Sequence, residues 1–204
     1  MTSPTIHVVD DDAAFRTAMS RLLGACGYQV AVYESAAQLL AAPMSSEPGC
    51  ILLDVQMSGL SGPQLQDRLI AQGNRLPIVF LTGHGDIPTS VQAIKAGAED
   101  FLTKPVAKDK LIAVLERALA QDTARRAEHH QRDELRARLA RLTPRENEVL
   151  ALVVRGRLNK QIAGDLGMAE RTVKAHRQRV MQKCEAKSLA ELVLMAETLG
   201  IISA

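Results

Sequence analysis

Acidic, hydroxyl and amine side chains follow the short apolar runs in the first half of the sequence. Asp10 and Asp11 follow IHVV, Asp54 follows ILL, Thr82 follows LPIVFL and Lys104 follows DFLT. The unbroken apolar run ILL is typical of a strand that is buried on both faces of a parallel sheet, and the other segments also predict short strands. Because the carboxyl ends of parallel strands share one edge of the sheet, we expect these side chains to converge there.

The chemistry of this set is more specific than that of any single member. An Asp that caps the next turn would look the same as Asp54, so that residue alone has a simple structural explanation. Several carboxylates at one edge repel each other unless a cation lies among them, and an all-oxygen cluster suits Mg²⁺. A Lys and a hydroxyl supply the charge and the hydrogen bond that phosphoryl oxygens need. Since the sequence has no Gly-rich phosphate loop, we predict that Asp54 itself takes the phosphoryl group.

The elements that position these residues alternate along the chain. The predicted strands are 6–9, 30–33, 51–53, 76–81 and 100–103. The predicted helices are 13–25, 35–41, 63–72, 87–96 and 108–120. Five βα units in strict alternation predict an α/β fold with one doubly wound, five-stranded, mostly parallel sheet.

The composition is that of a globular protein without a membrane partner. The 204 residues are 47% hydrophobic and 24% charged, and no apolar run approaches the length of a membrane span. The start of the sequence lacks the basic and apolar pattern of a signal peptide. The three Cys residues are odd in number and lack metal-ligand spacing, which favours reduced thiols and a cytoplasmic location.

The two parts of the chain differ in charge. Residues 1–120 hold 9 basic and 12 acidic residues, a net charge of −3, whereas residues 121–204 hold 16 and 11, a net charge of +5. The basic surplus is compatible with a nucleic-acid partner but is modest. Residues 116–142 are rich in Ala, Arg, Glu and Gln without Gly or Pro, which predicts a solvated helical spacer. The predicted domains are 1–120, a helical linker 121–142, and 143–204.

The last part of the chain has the pattern of a small all-α domain. Thr143 with Glu146, and Ser188 with Glu191, each have the spacing of a capping box that opens a helix. Two further helices, 158–166 and 170–184, are separated by Gly167. This is the spacing of a helix-turn-helix, although three packed helices without a DNA partner would share it. The outward face of 170–184 carries basic and amide side chains that suit phosphates and base edges, namely Arg171, Lys174, Gln178 and Arg179, with Arg177 on its flank.

The first half resembles a known family. VVDDD, LLDVQMSGLSG, FLTGHGD and AGAEDFLTKP resemble the receiver domain of bacterial two-component response regulators, which has a flavodoxin-like fold. The resemblance implies that Asp54 is the phosphoacceptor. It also implies that Asp10, Asp11, Asp54 and the backbone carbonyl of Gln56 hold Mg²⁺, and that the peptide bond before Pro105 is cis.

The same resemblance assigns the residues that respond to the phosphoryl group. It makes Thr82 the switch hydroxyl and Lys104 a phosphoryl contact. Phe101 takes the place of the aromatic switch residue and lacks a phenolic hydroxyl, and the small Gly83 leaves the site open.

The second half has a resemblance of its own. LTPRENEVL, NKQIAGDLGM and ERTVKAHRQRVMQK resemble the LuxR-type helix-turn-helix, so that the whole chain resembles a NarL/FixJ-family response regulator. The resemblance implies that Lys174, Ala175 and Gln178 face the major groove. The residues that it places at the DNA backbone or groove edge are Lys160, Thr172, Arg177 and Arg179.

Together these features predict a transcription factor rather than an enzyme. A sensor histidine kinase would phosphorylate Asp54 with Mg²⁺, and phosphorylation would promote dimerisation and binding to double-stranded promoter DNA. RNA polymerase is a further candidate partner. The expected dimer face, near Glu99 and Asp100, consists of Ile87, Val91, Ile94 and Lys95. The last helix, around Leu192 and Val193, would add a contact between the two copies on DNA.

Two other functions are compatible with part of these features. An aspartyl-phosphate phosphatase also uses an Asp at a strand end, but it has a second acid two residues later, where this sequence has Gln56. A regulator that binds RNA or protein would not need the face formed by Lys174 and Gln178. Binding to duplex DNA distinguishes that second alternative.

Overall fold

Five parallel strands form one sheet in the computed structural model, which describes residues 3–43, 47–83 and 94–202. The strand order is β2-β1-β3-β4-β5. The bounds are β1 Thr5–Val9, β2 Gln29–Tyr33, β3 Gly49–Asp54, β4 Ile78–Thr82 and β5 Asp100–Thr103. The chain moves outward from β1 to β2 and then returns to the other side of β1 for β3. This is the doubly wound α/β topology that the sequence predicted.

Helices cover this sheet along the described part of the chain. They are α1 Ala13–Ala25, α2 Ala36–Ala41, α3 Gly62–Ala71 and the beginning of α4 Lys108–Leu139. Residues 94 and 95 are helical, the predicted last residue, Ala96, lies in a turn, and the rest of the predicted helix, 87–93, lies outside the described residues. The predicted helical spacer at 116–142 is confirmed as far as Leu139, because α4 continues through it without a break.

The apolar run of β3 is unbroken because this strand faces two cores. Along β3, Ile51 and Leu53 join a cluster that includes Leu65 of α3, whereas Cys50 and Leu52 join a cluster on the other face of the sheet. All six residues of β3 are buried. Side chains in a strand alternate between the two faces, so a doubly covered strand needs apolar residues at every position.

One predicted strand begins later than the sequence suggested. The apolar run starts at Leu76, but β4 begins at Ile78. Pro77 has no backbone N–H to offer a neighbouring strand, and the N–H of Leu76 donates to Asn74 Oδ1 at 2.8 Å. Leu76 is buried all the same and packs in the core without joining the sheet.

The chain divides into two compact units, Met1–Arg125 and Arg126–Ala204, and the division falls within α4. The second unit consists of the end of α4 and the helices α5 Pro144–Val153, α6 Asn159–Leu166, α7 Glu170–Lys183 and α8 Leu189–Thr198. They enclose a separate core that includes Val149, Ile162, Val173 and Val180. Among the described residues, no helix has both the length and the apolar character that crossing a membrane requires.

The two predicted capping boxes turn out differently. At the start of α5, Thr143 Oγ1 accepts from the N–H of Glu146, and the Glu146 carboxylate accepts from the N–H of Thr143. The predicted box is therefore confirmed. At the start of α8, Ser188 Oγ accepts from Glu191, but Glu191 Oε2 accepts from the N–H of Lys187 at 2.8 Å. The prediction was wrong for this second hydrogen bond, because the Glu191 side chain accepts from Lys187 instead of from the N-cap residue Ser188.

Candidate functional site

The acidic residues lie at the point where the sheet reverses its winding. β1 and β3 are neighbours, and their connections leave in opposite directions, which opens a crevice beyond their carboxyl ends. Asp10 directly follows β1, and Asp54 is the last residue of β3. The doubly wound topology therefore places both carboxylates where open α/β sheets bind their ligands.

Three carboxylates converge in this crevice. One oxygen each from Asp10, Asp11 and Asp54 lie within 4.8 Å of one another. Asp10 and Asp54 are buried, whereas Asp11 is exposed. Backbone N–H groups hold two of them, because Asp12 donates to Asp10 Oδ1 at 2.9 Å and Ser58 donates to Asp11 Oδ2 at 2.8 Å. The cluster combines two buried acids with one at the solvent boundary.

Lys104 supplies the positive charge at the cluster. Its Nζ lies 2.5 Å from Asp10 Oδ2 and 3.1 Å from Asp54 Oδ1. The Phe15 ring covers the same ammonium, with its centroid 4.1 Å from Nζ. The Lys104 N–H donates to the Thr82 carbonyl at 2.6 Å, and the bond to Pro105 is cis, as predicted. Both the backbone and the ammonium group of Lys104 are therefore held in place.

Burial and charge act in opposite directions on the pKa values of this group. Burial raises the pKa of Asp54, although its contacts with Lys104 offset part of this rise. Burial would lower the pKa of Lys104, but its hydrogen bonds to Asp10 and Asp54 outweigh burial and raise it. The hydrogen bond from the backbone of Ser58 lowers the pKa of Asp11. Lys104 therefore carries a firmly held positive charge next to the Asp54 carboxylate.

The other predicted residues of this site lie at or near the same edge. Thr82, which ends β4, is buried, and the following Gly83 is exposed. Gln56, two residues after Asp54, is exposed. The half-buried Phe101 packs in the core, with its ring centroid 6.2 Å from that of Phe80.

The donor set suits a magnesium ion. Mg²⁺ binds oxygen ligands at about 2.0–2.1 Å in an octahedron, so two ligands on opposite sides are about 4.2 Å apart. Carboxylate oxygens within 4.8 Å of one another match this geometry with little adjustment. The three acids are thus a candidate metal site, and Lys104 lies beside it as a fixed cation.

Several supporting contacts were missed by the sequence analysis. Arg16 Nη1 donates to the Asp10 carbonyl at 2.6 Å, and Asp12 caps α1 through the N–H groups of Ala14 and Phe15. Ser58 and Phe15 contact the site as described above. The spacing of Asp12 before the helix signals a cap. The contacts of the others depend on tertiary packing and have no local signal.

The expected dimer face is described only in part. Ile87 and Val91 lie outside the described residues, whereas Ile94 and Lys95 are exposed. The acids that were expected beside Lys95 have another partner. Arg117 of α4 pairs with Asp100, and its Nε lies 3.7 Å from Glu99 Oε1.

A second candidate site lies on α7, in the other unit. Val173, Val180 and the following Cys184 are buried against the core of the domain. The predicted DNA-contact residues Thr172, Lys174, Ala175, Gln178 and Arg179 are exposed on α7, and Lys160 is exposed on α6. Arg177 is half-buried, and its Nη1 donates to Asn159 Oδ1 at 2.7 Å. The structure therefore leaves a basic and amide face of α7 open to a partner.

Neighbouring helices fix the orientation of α7. Lys183, at its end, donates to the buried Glu146 carboxylate of α5 at 2.6 Å. Arg145 donates to the Leu166 carbonyl at the end of α6. Glu185, which follows α7, has a left-handed backbone with φ of +55° and pairs with Arg138 and Arg141.

The last helix corrects one expectation. Leu192 was expected to contact a second copy, but it is 1% exposed and belongs to the core of its own domain. Val193 is half-buried, whereas Leu194 is 62% exposed. The sequence LAELVLMAET is apolar on several sides, so its pattern did not determine which residues face inward.

Family models match both units. One, described as the response regulator receiver domain, matches residues 6–116. Another, described as bacterial regulatory proteins of the luxR family, matches residues 140–196. The first covers the carboxylate cluster and Lys104, and the second covers α5, α6 and α7.

Several relatives and solved structures match nearly the whole chain. The chain is 42% identical over 199 residues to the transcriptional regulatory protein FixJ of Azorhizobium caulinodans, with 98% of this chain and 94% of the relative covered. It is 44% identical over 196 residues to the tetrathionate response regulatory protein TtrR of Salmonella typhimurium, with 96% and 93% covered. The structure of the response regulator StyR covers 96% of this chain and 99% of its own, with a TM-score of 0.87 and 44% identity. The crystal structure of full-length FixJ from B. japonicum aligns over 100% of this chain and 100% of its own, with a TM-score of 0.60 and 40% identity.

Proposed function

Because this chain belongs to the NarL/FixJ family of response regulators, we propose that a sensor histidine kinase phosphorylates Asp54 and thereby promotes dimerisation and promoter binding. The chain is a two-component regulator with a LuxR-type DNA-binding domain, and not an enzyme. One observation carries the proposal. The Lys104 ammonium lies 3.1 Å from Asp54 and 2.5 Å from Asp10 in the crevice where the sheet reverses.

The transfer makes one bond and breaks one. A carboxylate oxygen of Asp54 attacks the phosphorus of the kinase phosphohistidine, the P–O bond forms, and the P–N bond breaks. The electron pair of that bond returns to the imidazole nitrogen. Lys104 keeps its charge throughout and stabilises the phosphoryl oxygens as they approach Asp54.

Magnesium completes the site in this proposal. Asp10, Asp11, Asp54 and the backbone carbonyl of Gln56 would hold the ion. When bound, it supplies positive charge to the phosphoryl oxygens. The Ser58 N–H orients the Asp11 carboxylate, and Lys104 balances the two buried acids.

Thr82 and Phe101 would transmit the effect of phosphorylation from Asp54 to the rest of the receiver domain. The Thr82 hydroxyl would donate to a phosphoryl oxygen on Asp54, while Gly83 leaves room for the group. The movement of Thr82 then frees space into which the half-buried Phe101 ring turns. The result is a shift between two packings of one fold.

Dimerisation would use the face that contains Ile87, Val91, Ile94 and Lys95. Ile94 is 44% exposed, which leaves apolar surface available at this position. Since Arg117 already pairs with Glu99 and Asp100, Lys95 must compete with it for these acids across the two-fold axis.

DNA binding would follow from pairing two α7 helices on two half-sites. Lys174, Ala175 and Gln178 would face base edges, and Lys160, Thr172, Arg177 and Arg179 would contact the backbone or the groove edge. RNA polymerase is a further proposed partner. The proposed boundaries remain a receiver domain at 1–120, a linker at 121–142 and a DNA-binding domain at 143–204.

The test uses acetyl phosphate as the phosphodonor, with Mg²⁺ and the full chain. Asp54→Asn should abolish incorporation, because the amide is a far weaker nucleophile than the carboxylate. The matched control is Asp12→Asn, which changes an exposed acid nearby and keeps a residue able to cap α1. The control should be labelled like the wild-type chain. Continued Mg²⁺-dependent labelling of Asp54→Asn would refute the assignment.

A further inference from the structure

The start of α6 departs from the usual chemistry of a helix N-terminus. Asn is favoured at the N-cap, where its side chain accepts from the backbone of the first turn. Here the N-cap is Leu158, which is 68% exposed and offers no side-chain bond, and Asn159 is the first helical residue. Gln161 Oε1 accepts from the N–H of Leu158 at 2.9 Å. Asn159 is thus one position too late to cap its helix.

The Asn159 side chain instead contacts the next helix. Its Oδ1 accepts from Nη1 of Arg177, 18 residues later on α7, at 2.7 Å. Because a guanidinium only donates, the amide oxygen must be the atom that faces it. Both side chains are half-buried. The bond restricts a long and otherwise mobile side chain and leaves further N–H donors of Arg177 for another acceptor.

The partner of Arg177 differs from those of other cations in this unit. Arg145 pairs with Glu148, and Lys183 pairs with Glu146, so a carboxylate balances each of these charges. Asn159 is uncharged, so it fixes the Arg177 guanidinium without neutralising it. Lys160, adjacent to Asn159, is exposed. The start of α6 therefore carries the exposed Lys160 and holds the charged Arg177 of α7 in a fixed position.

We infer that Asn159 is a positioning residue that holds Arg177 in place to bind one phosphate of double-stranded DNA. This inference rests on the proposed DNA-binding function. Fixing Arg177 in advance reduces the entropy that is lost on binding. A phosphate contact carries no sequence information, so Asn159 should strengthen binding to every duplex alike.

The test measures the Kd of the full chain, treated with acetyl phosphate and Mg²⁺, at several salt concentrations. One probe is a duplex pool selected by the wild-type chain from random sequences, and the other is an unselected mixed-sequence duplex. Arg177→Ala should weaken binding to both by about tenfold and reduce the salt slope by about 0.9. Asn159→Ala should weaken both by about threefold, in line with the entropy that a free Arg177 side chain would lose on binding. In the double variant, Asn159→Ala should add nothing to Arg177→Ala.

A second substitution separates positioning from stability. Asn159→Asp keeps an oxygen acceptor for Arg177, and an acid suits the first turn of a helix, so the melting temperature should not fall. The new carboxylate neutralises Arg177, so DNA affinity and the salt slope should both decrease. The matched control is Gln161→Ala, which removes a bond at the same end of α6. It should lower the melting temperature without changing the salt slope.

Two results would overturn the inference while leaving the proposed function intact. One is that Asn159→Ala weakens DNA binding by the same factor in the wild-type chain and in the Arg177→Ala variant. The other is Asn159→Asp binding both probes like the wild-type chain. Failure of the phosphorylated wild-type chain to select any duplex from random sequences and to bind the unselected duplex would overturn the proposed function, and this inference with it.

Discussion

The two candidate sites of this protein are built in contrasting ways. The carboxylate cluster draws Asp10, Asp54 and Lys104 from the ends of three strands, and two of these side chains are buried. The proposed DNA-binding face uses mainly successive turns of α7, and Lys174 and Gln178 on it are exposed. One site depends on the whole sheet, and the other depends mainly on the orientation of a single helix.

This contrast has an energetic consequence. In the buried cluster the charges interact strongly with one another, because Lys104 contacts both Asp10 and Asp54 within 3.1 Å. Removal of one member should disable the group as a unit. Exposed side chains that do not share partners contribute almost independently, so their losses should add. The first two predictions below test this contrast, beginning with the largest expected effect.

The largest effect is expected at Lys104. Lys104→Met keeps much of the side-chain length but removes the charge next to Asp54. By analogy with the loss of one preorganised donor in an enzyme site, the rate of labelling by acetyl phosphate should fall about a hundredfold or more. The initial rate of phosphoryl incorporation measures this.

The matched control for Lys104 is Lys110→Met. Lys110 is exposed in the first turn of α4, so the same substitution there should leave the labelling rate within about twofold of wild type. A rate for Lys104→Met close to that of its control would show that the cluster does not act as a coupled group.

Smaller and additive effects are expected on α7. Lys174→Ala and Gln178→Ala should each weaken binding to a selected duplex by about 1–3 kcal/mol if they reach base edges. Arg179→Ala should weaken binding to all duplexes alike and flatten the salt dependence. Kd measurements on the single and double variants would show whether the losses add. Strong coupling between Lys174 and Arg179, which are not surface neighbours on the helix, would remove the contrast with the buried cluster.

The sequence predicted the sheet and the positions of its polar residues because both follow from local patterns. Asp54 directly follows a run of apolar residues, and parallel strands bring their ends to one edge. The contact of the Phe15 ring with Lys104 joins residues that are far apart in the sequence. Only the packing of α1 against the sheet creates that contact, so no local pattern could predict it.

The helical unit shows the same limit. The inward positions Val173 and Val180 followed from helical spacing, and both are buried. Spacing could not show that Asn159 bonds to Arg177, because a residue at a helix start ordinarily caps its own helix. The expected contact of Leu192 with a second copy was wrong, since α8 has apolar residues on more than one side and Leu192 lies in the core.

A third effect is expected on the stability of the helical unit at low pH. The hydrogen bond from Lys183, followed by that from the Thr143 backbone, lowers the pKa of Glu146 from 4.5 to about 2. A carboxyl whose pKa is lower in the folded state stabilises that state when it is ionised. This contribution is complete above about pH 4.5 and is lost as the pH falls toward 2.

Thermal unfolding of the chain between pH 2 and pH 6 measures this contribution. Glu146→Gln should be less stable at pH 6 and should lose less stability than wild type as the pH falls. Identical pH dependence in the two chains would exclude the Glu146–Lys183 pair as a source of acid sensitivity.

The central claim is that the state of Asp54 controls the affinity of α7 for DNA. The most direct measurement is the Kd of the full chain for a selected duplex, with and without acetyl phosphate and Mg²⁺, for wild type and Asp54→Asn. We expect acetyl phosphate to tighten binding by the wild-type chain and to leave Asp54→Asn unchanged. An equal response of both chains, or no response of the wild-type chain while it is labelled, would contradict the account.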